Sequence, residues 1–530
     1  MSLDRRRRHT GGHGQDGDVT TAGTTDRNLW RRSLGALVAV VTAVGPARAQ
    51  DPPTKLTVPW AKVARVSRTT PTLQVVVNPP LRRGHPVHDG AFRALRDLQA
   101  DYVRYVPWLP YPRLGVAELE PPKDGKTSWD FSLIDPMTID FLEATKGHPV
   151  VLNFSTIPQW MVRSSPPVGY PADPDQPVWD YTQGNDLRDP TFEEVGGYYA
   201  RLLGWYTQGG FTDDLGQRHE SGHHYAIPYW EVLNEPDLER DFTPEAYTRL
   251  YDAVVRAMLR VQRTTKFGGV SLAYPARQPR FFEYFLDQRN HAPGIPIDFV
   301  SYHFYAVPAA DEPPEVQPYT FFAQAAGFLG VVRYVEAIRE RLSPATKTMI
   351  NEIGTIAAED LGQGQPGYAS KPIPASYWSL SGAVYAYLFG ELTRMGIDAA
   401  GESQLVGYPT QFPSVSLVEW ERGTPNPRYR VLELIARRIG PGDGVVDMPA
   451  SPGGSSGTVY AQGFVKPDGK RRLLLVNTRD RVASVVVAGA SGGEVEYVDQ
   501  TTGFGPAASA RLEGDNVALN GLAVAVVTLP

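Results

Sequence analysis

Short apolar runs alternate with longer segments whose apolar residues recur at helical spacing, and this alternation fills residues 73–440. The runs are Leu73–Val77, Tyr102–Trp108, Pro149–Phe154, Tyr229–Glu235, Phe267–Leu272, Asp298–Tyr305, Thr348–Ile353 and Ala399–Val406. They are continuously apolar, as parallel strands covered on both faces are. The first intervening helix, Asp89–Ala100, carries Phe92, Leu95 and Leu98 on one face. Next come a helix at Asp135–Thr145 and one opened by Thr191 and Glu194 as a capping box, running through Trp205. A helix from Thr243 to about Thr264 has Pro244 at its first position. Helices at Phe281–Arg289, Phe328–Leu342, Ser376–Met395 and Arg428–Ile439 complete the set. Eight such alternations predict an α/β fold, a (β/α)8 TIM barrel over residues 73–440. A doubly wound open sheet is the alternative, but no Gly-rich phosphate fingerprint follows an early strand.

Beyond residue 440 the pattern changes. Pro441–Gly457 is rich in Gly, Pro and Ser and forms a linker or edge loop. Strand patterns follow at Val459–Phe464, Arg472–Asn477, Ser484–Ala488, Glu494–Val498 and Leu522–Leu529, with a turn at Pro467-Asp468-Gly469-Lys470. Residues 441–530 are therefore expected to form an accessory β-sandwich, to which residues 50–72 add one or more strands. Its expected role is to buttress the barrel, since no aromatic platform marks its strand ends.

Residues 1–28 are polar and patternless and are expected to be disordered. Arg31-Arg32, the apolar run Leu34–Val44 and Ala47-Arg48-Ala49 together make a signal peptide ending at residue 49. The arginine pair fits a twin-arginine route; Trp30, where that motif usually has Ser or Thr, leaves the Sec route equally open. The apolar core falls well short of the roughly 20 residues a bilayer span needs. Export to the periplasm or the exterior is expected, with no stable membrane anchor after cleavage.

Composition narrows the chemistry. Hydrophobic content of 42% and charged content of 21% are ordinary for a globular protein. A net charge of −6, with no basic stripe outside the N-terminus, excludes nucleic acid as a partner. The absence of cysteine excludes disulfides, thiolate zinc sites and a cysteine nucleophile. His219, Glu220, His223 and His224 lie in a polar loop without helical register, so no metal site is assigned.

Several polar residues stand where the barrel strands stop: Arg104 and Trp108, Asn153, Asn234 and Glu235, His303 and Tyr305, Asn351 and Glu352. In a barrel those ends form the catalytic face. Two carboxylates across one pocket can hydrolyse a glycosidic bond, one donating a proton to the leaving oxygen and the other attacking the anomeric carbon. Burial and mutual repulsion separate their pKa values and so divide the roles. Asn234, beside the first carboxylate, is placed to hydrogen-bond a ring hydroxyl. Trp108, Trp160, Trp179 and Tyr181 stand in or beside loops on this side, where packing is the expected role of each. The long connection 161–228, rich in Pro, Asp and aromatics, is expected to wall the cleft.

Asn234-Glu235-Pro236 at the end of the fourth run, with Glu352 at the end of the seventh, resembles clan A of the glycoside hydrolases. The resemblance implies Glu235 as acid/base, Glu352 as nucleophile, and a retaining double displacement. Gly84-His85, Asp101-Tyr102-Val103-Arg104-Tyr105, the stretch Trp230–Asp237, Ser301–Tyr305 and a C-terminal sandwich are similar to family 39, the β-xylosidase and α-L-iduronidase family. That similarity covers about residues 75–530. It implies that His303 and Tyr305 line the sugar site, with His85 and Arg104 beside them; Trp108, from its strand end, is a further candidate substrate contact. An oligosaccharide or glycoside is the implied substrate, β-xylosidase-like exo action is favoured, and no metal or organic cofactor is needed. Other clan A activities are the alternatives: arabinofuranosidase, glucosidase, glucosylceramidase or endo-glycanase. A non-catalytic carbohydrate-binding protein on the same fold is the rival of a different class.

Overall fold

The computed structural model describes residues 53–163, 169–179, 184–363, 365, 367–449 and 458–530. The expected signal peptide, Tyr181 and the stretch 450–457 of the linker lie outside the described residues. Eight parallel strands close into a barrel: β1 (Thr70–Val76), β2 (Val103–Val106), β3 (Val150–Leu152), β4 (Tyr229–Glu231), β5 (Lys266–Leu272), β6 (Phe299–Ala306), β7 (Lys347–Thr355) and β8 (Ala399–Glu402). β8 returns to β1, Ala399 opposite Thr70, which closes the ring. Thr70–Thr72, which the sequence pattern groups with the preceding segment, thus already belong to the barrel. The surrounding helices are α1 (His88–Leu98), α2 (Asp135–Ala144), α3 (Glu193–Thr207), α4 (Pro244–Val261), α5 (Pro279–Phe285), α6 (Gln317–Leu342), α7 (Ala375–Met395) and α8 (Pro427–Arg438). The expected (β/α)8 barrel is the observed fold.

Local chemistry sets the ends of these elements. Thr243 caps α4 by accepting from the Ala246 N–H at 3.2 Å, with Pro244 at the first turn. The capping box expected at α3 does not form. Asp189 instead accepts from the Glu194 N–H at 2.9 Å, and the Glu194 carboxylate turns outward to Arg188 at 2.8 Å. α6 starts at Gln317 rather than at Phe328, because Pro318 opens it and Phe321, Phe322 and Ala325 extend its buried stripe.

Inside the barrel, the N-terminal strand ends are filled by Val151, Tyr229, Phe299, Met349 and Ala399, with Tyr102 packed against them. This apolar plug pushes the polar interior toward the opposite, C-terminal face. There β7 carries a bulge. Ser301 pairs with Met349, but His303 pairs with Glu352, so β7 uses one residue more than β6 between these rungs. A bulge breaks the strict alternation of faces. Asn351 and Glu352, adjacent in sequence, consequently both reach groups inside the barrel.

The C-terminal region forms two further sheets. One has seven strands in the order Ala508–Arg511, Glu494–Val498, Val524–Thr528, Arg471–Asn477, Val459–Val465, Gly444–Val446 and Val63–Val66. The other joins Thr54–Leu56 and Asn516–Leu519 to the two edges of Ala483–Val487, the first in parallel. Leu473, Leu475, Val485, Val487, Val517, Leu519 and Val527 share one core between the sheets. Tyr460 packs edge-on against Tyr387 of α7, and Arg438 of α8 pairs with Glu496, fixing the sheets to the barrel wall.

Candidate active site

Arg104, in the middle of β2, organises the pocket. Its guanidinium is fully buried, and all five of its N–H donors are used. Nε donates to Glu231 at 2.6 Å, Nη1 to Gln74 at 2.7 Å and Glu352 at 2.6 Å, and Nη2 to Asn234 at 2.6 Å and Ser271 at 2.9 Å. A planar fork with five fixed donors is what such a convergence of acceptors needs. Glu231 is the anchor beneath. Its oxygens accept from Arg104, from Asn153 at 2.6 Å, from Asn351 at 2.7 Å and from Ser301.

Glu235 follows β4 in a loop where Leu233 and Glu235 both have positive φ, 61° and 40°. Side-chain-bearing residues adopt that region at a cost of about 1–3 kcal/mol each. The loop is held by the Glu235 N–H donating to Ser271 O at 3.0 Å. The carboxyl Oε1 shares a hydrogen bond with His303 Nδ1 at 2.7 Å. Burial pushes the Glu235 pKa above the carboxylate range; His303 opposes this, and Glu352 and Asp237 add to the rise.

Glu352 is held the other way. Burial alone would raise it, but the charges of His303 and Arg104 and the hydrogen bonds from Tyr305 and Arg104 bring it below its ordinary value. Tyr305 donates its hydroxyl to Glu352 Oε2 at 2.6 Å and is steadied by Ser403 at 2.5 Å. Gly354 leaves room for this ring, since a Cβ there would meet it at 2.7 Å. One oxygen each of Glu235 and Glu352, with a ring nitrogen of His303, lie within 4.8 Å of one another. His303 Nε2 is 2.9 Å from Ser271 Oγ and 3.5 Å from Glu352 Oε1. Burial disfavours its charge, yet the two glutamates raise its pKa.

The other residues singled out in the sequence divide. Asn234 is bound by protein at both ends: its Oδ1 accepts from Arg104 and Ser271, and its Nδ2 donates to Glu239 Oε1 at 2.7 Å. One N–H of the amide therefore remains for a sugar hydroxyl. Trp108 donates its indole N–H to the same Glu239 oxygen at 2.6 Å. It meets Trp179 edge-on at 5.6 Å, and Trp179 meets Phe412 at 5.7 Å, which makes a half-buried aromatic ridge. Trp160 donates to Glu118 O at 3.0 Å, with the Arg188 guanidinium over its ring. His85 lies on the loop after β1 but joins none of these contacts among the described residues. Its Nδ1 accepts from the Val87 N–H at 3.2 Å, and burial lowers its pKa against the pull of Asp175. Its side chain braces its own loop.

Residues 169–179 run along the same face. Arg82 pairs with Asp175 at 2.6 Å, Arg113 donates to Pro171 O and Ala172 O, and Val178 N–H donates to Pro110 O at 2.7 Å. The His219–His224 loop is separate: His219 pairs with Asp213 and His223 with Asp135, two different acids. Glu235, His303 and Glu352 present ligand atoms close enough to hold a cation. Both ring nitrogens of His303 are already engaged by side chains, Nδ1 by Glu235 and Nε2 by Ser271. The sequence assigns no role to Glu231, Glu239, Ser271, Ser301 or Gln74, although Glu231 and Ser301 stand inside the motif stretches. A glutamate inside the apolar run Tyr229–Leu233 was the one available signal.

No protein-family model and no curated protein matches the chain. Solved structures do. A GH51 α-L-arabinofuranosidase from Thermotoga petrophila aligns over 90% of this chain and 100% of its own, at 15% identity and TM-score 0.59. A glucosidase from Croceicoccus marinus aligns over 91% and 99%, at 15% identity and TM-score 0.56. A GH30 endoxylanase from Clostridium papyrosolvens aligns over 90% and 100%, at 14% identity and TM-score 0.54. What the chain shares with them is the fold, a (β/α)8 barrel carrying a β-sandwich.

Proposed function

We propose that this protein is a retaining glycoside hydrolase of the clan A type, with Glu235 as acid/base and Glu352 as nucleophile. One observation carries the reading. One carboxyl oxygen of Glu235 lies within 4.8 Å of one of Glu352, and their surroundings shift the two in opposite directions, Glu235 toward its protonated form and Glu352 toward its ionised form. A separation of about 5–5.5 Å between carboxyl groups belongs to the double-displacement route; a wider gap admits water directly. Glu352 attacks the anomeric carbon while Glu235 gives its proton to the departing oxygen. The covalent glycosyl-enzyme is then hydrolysed by water, whose proton returns to Glu235 as the Glu352–carbon bond breaks. Arg104 and Tyr305 hold the Glu352 oxygens, so the nucleophile keeps one orientation through both steps.

The glycosidases that share the fold support this class of reaction. Motif similarity to family 39 favours β-xylosidase-like exo action, and the arabinofuranosidase, glucosidase and endoxylanase among the structural neighbours keep other glycosides in the test panel. Nitrophenyl glycosides, with NMR of the first-formed anomer, identify both sugar and stereochemistry. Glu352→Gly abolishes turnover, and azide restores it with formation of an inverted glycosyl azide. An inverted first anomer from wild-type protein, or failure of azide rescue, refutes the assignment. The same reading has the chain exported with its N-terminus cut near Gln50, which N-terminal sequencing of secreted protein checks.

A further inference from the structure

Glu239 sits one turn beyond Glu235, its N–H donating to the Glu235 carbonyl at 2.8 Å. It is 9% exposed, little different from Glu352 at 6%. Its two oxygens are treated differently. Oε1 receives both Trp108 Nε1 and Asn234 Nδ2, whereas Oε2 is buried with no hydrogen-bond partner among the described residues. Glu231 and Glu352 have both oxygens engaged. Leaving a buried carboxyl oxygen without a partner is costly, and a bound ligand's hydroxyl is one way to satisfy it. Burial, followed by the neighbouring Glu235, pushes this carboxyl up to about 8, so at neutral pH it carries a proton and can donate as well as accept. A hydrogen-bonded chain, Trp108–Glu239–Asn234–Arg104–Glu352, runs from the aromatic ridge to the nucleophile.

We propose that Glu239 contacts the sugar itself, its free Oε2 hydrogen-bonding a glycone hydroxyl beside the one Asn234 holds. This rests on the glycosidase reading and deepens it. The residue would select glycones with a hydroxyl at that position, while Trp108 offers the adjoining apolar surface. Glu239→Gln keeps an acceptor for Trp108 and Asn234 and replaces the acid; Glu239→Ala removes both.

The test is a cycle between protein and substrate. kcat/KM is measured for wild type, Glu239→Gln and Glu239→Ala on the best aryl glycoside of the panel and on its 2-deoxy and 3-deoxy analogues. The alanine variant loses about tenfold or more on the parent glycoside, the worth of one hydrogen bond of this kind. On the deoxy analogue that lacks the partner hydroxyl, its loss shrinks to about twofold or less. An equal loss on all three substrates overturns the proposal and leaves Glu239 as a brace for Trp108 and Asn234. Titrating the same three glycosides into the Glu352→Gln background, followed by tryptophan emission, reads the coupling from binding. Absence of turnover in wild type then counts against the glycosidase reading alone, and absence of coupling in binding against Glu239.

Discussion

Replacing His303 by glutamine tests how the two carboxyls are kept in different states. The imidazole is 2.7 Å from Glu235 Oε1 and 3.5 Å from Glu352 Oε1, and is itself drawn toward its charged form. A protonated His303 favours the anionic form of both glutamates. At an effective dielectric of about 20, a unit charge some 3.5 Å away is worth about 4–5 kcal/mol. Single opposite charges at such range shift a carboxyl by about 1–3 pKa units. Without the imidazolium each glutamate keeps its proton to higher pH. On the proposed assignment, the acid limb of a plot of kcat/KM against pH reports ionisation of Glu352 and the alkaline limb loss of the proton from Glu235. Both limbs of the His303→Gln profile therefore move to higher pH, by about 1–3 units each. The assay uses an aryl glycoside with a poor leaving group, so that proton donation counts. A stationary acid limb, or an alkaline limb that moves to lower pH, refutes a shared cation at His303.

Arg104→Lys keeps the charge but has three donors for five acceptors, so it lowers the melting temperature by the equivalent of about 2–5 kcal/mol and depresses kcat/KM; unchanged melting would sink this account of the guanidinium. Glu118 is fully buried with no partner on either oxygen among the described residues, and burial pushes its pKa from 4.5 to about 8. The folded protein thus holds a proton that the unfolded chain releases, and stability falls as pH rises between those values. Glu118→Gln gains on wild type in melting temperature progressively over that range, and a difference that does not vary with pH counts against it. Thr243→Ala removes the α4 cap and costs about 1 kcal/mol, read by thermal melting.

The barrel was legible because its strands are short and apolar throughout, whereas its helices are long and amphipathic. Two periods seldom confused marked the eight strands and eight helices of the barrel between Leu73 and Ile439, while the hairpin of Gly210–Thr212 and Arg218–Glu220 carried no such mark. Strand ends in turn pointed to Arg104, Asn234, Glu235, His303, Tyr305 and Glu352, which the fold brings together. What escaped depends on partners distant in sequence. Glu231 looks like an interruption of an apolar run until Arg104, Asn153, Ser301 and Asn351 arrive from three other strands and the loop after β3. Glu239 has the composition of a solvated turn, and only Trp108 and Asn234 draw it inward. His85 stands on the expected loop, and its recorded hydrogen bond is a local one from the Val87 N–H. The strands Ala508–Arg511 and Asn516–Leu519 are short and partly exposed, so no apolar run announced them.

The small sheets are built from both ends of the described chain. Thr54 pairs with Val485 and Arg65 with Val445, partners separated by roughly 430 and 380 positions. During synthesis at about 5–20 residues per second, Thr54–Leu56 would wait roughly 20–90 s for their partner strand to emerge. The barrel between them can close meanwhile, so the last stretch to be translated acts as a clasp that secures the first. A protein shortened at residue 440 would keep all eight barrel strands yet present two orphaned edges at its start, a template for self-association. Dissecting the barrel cleanly means removing residues 53–66 together with the sandwich.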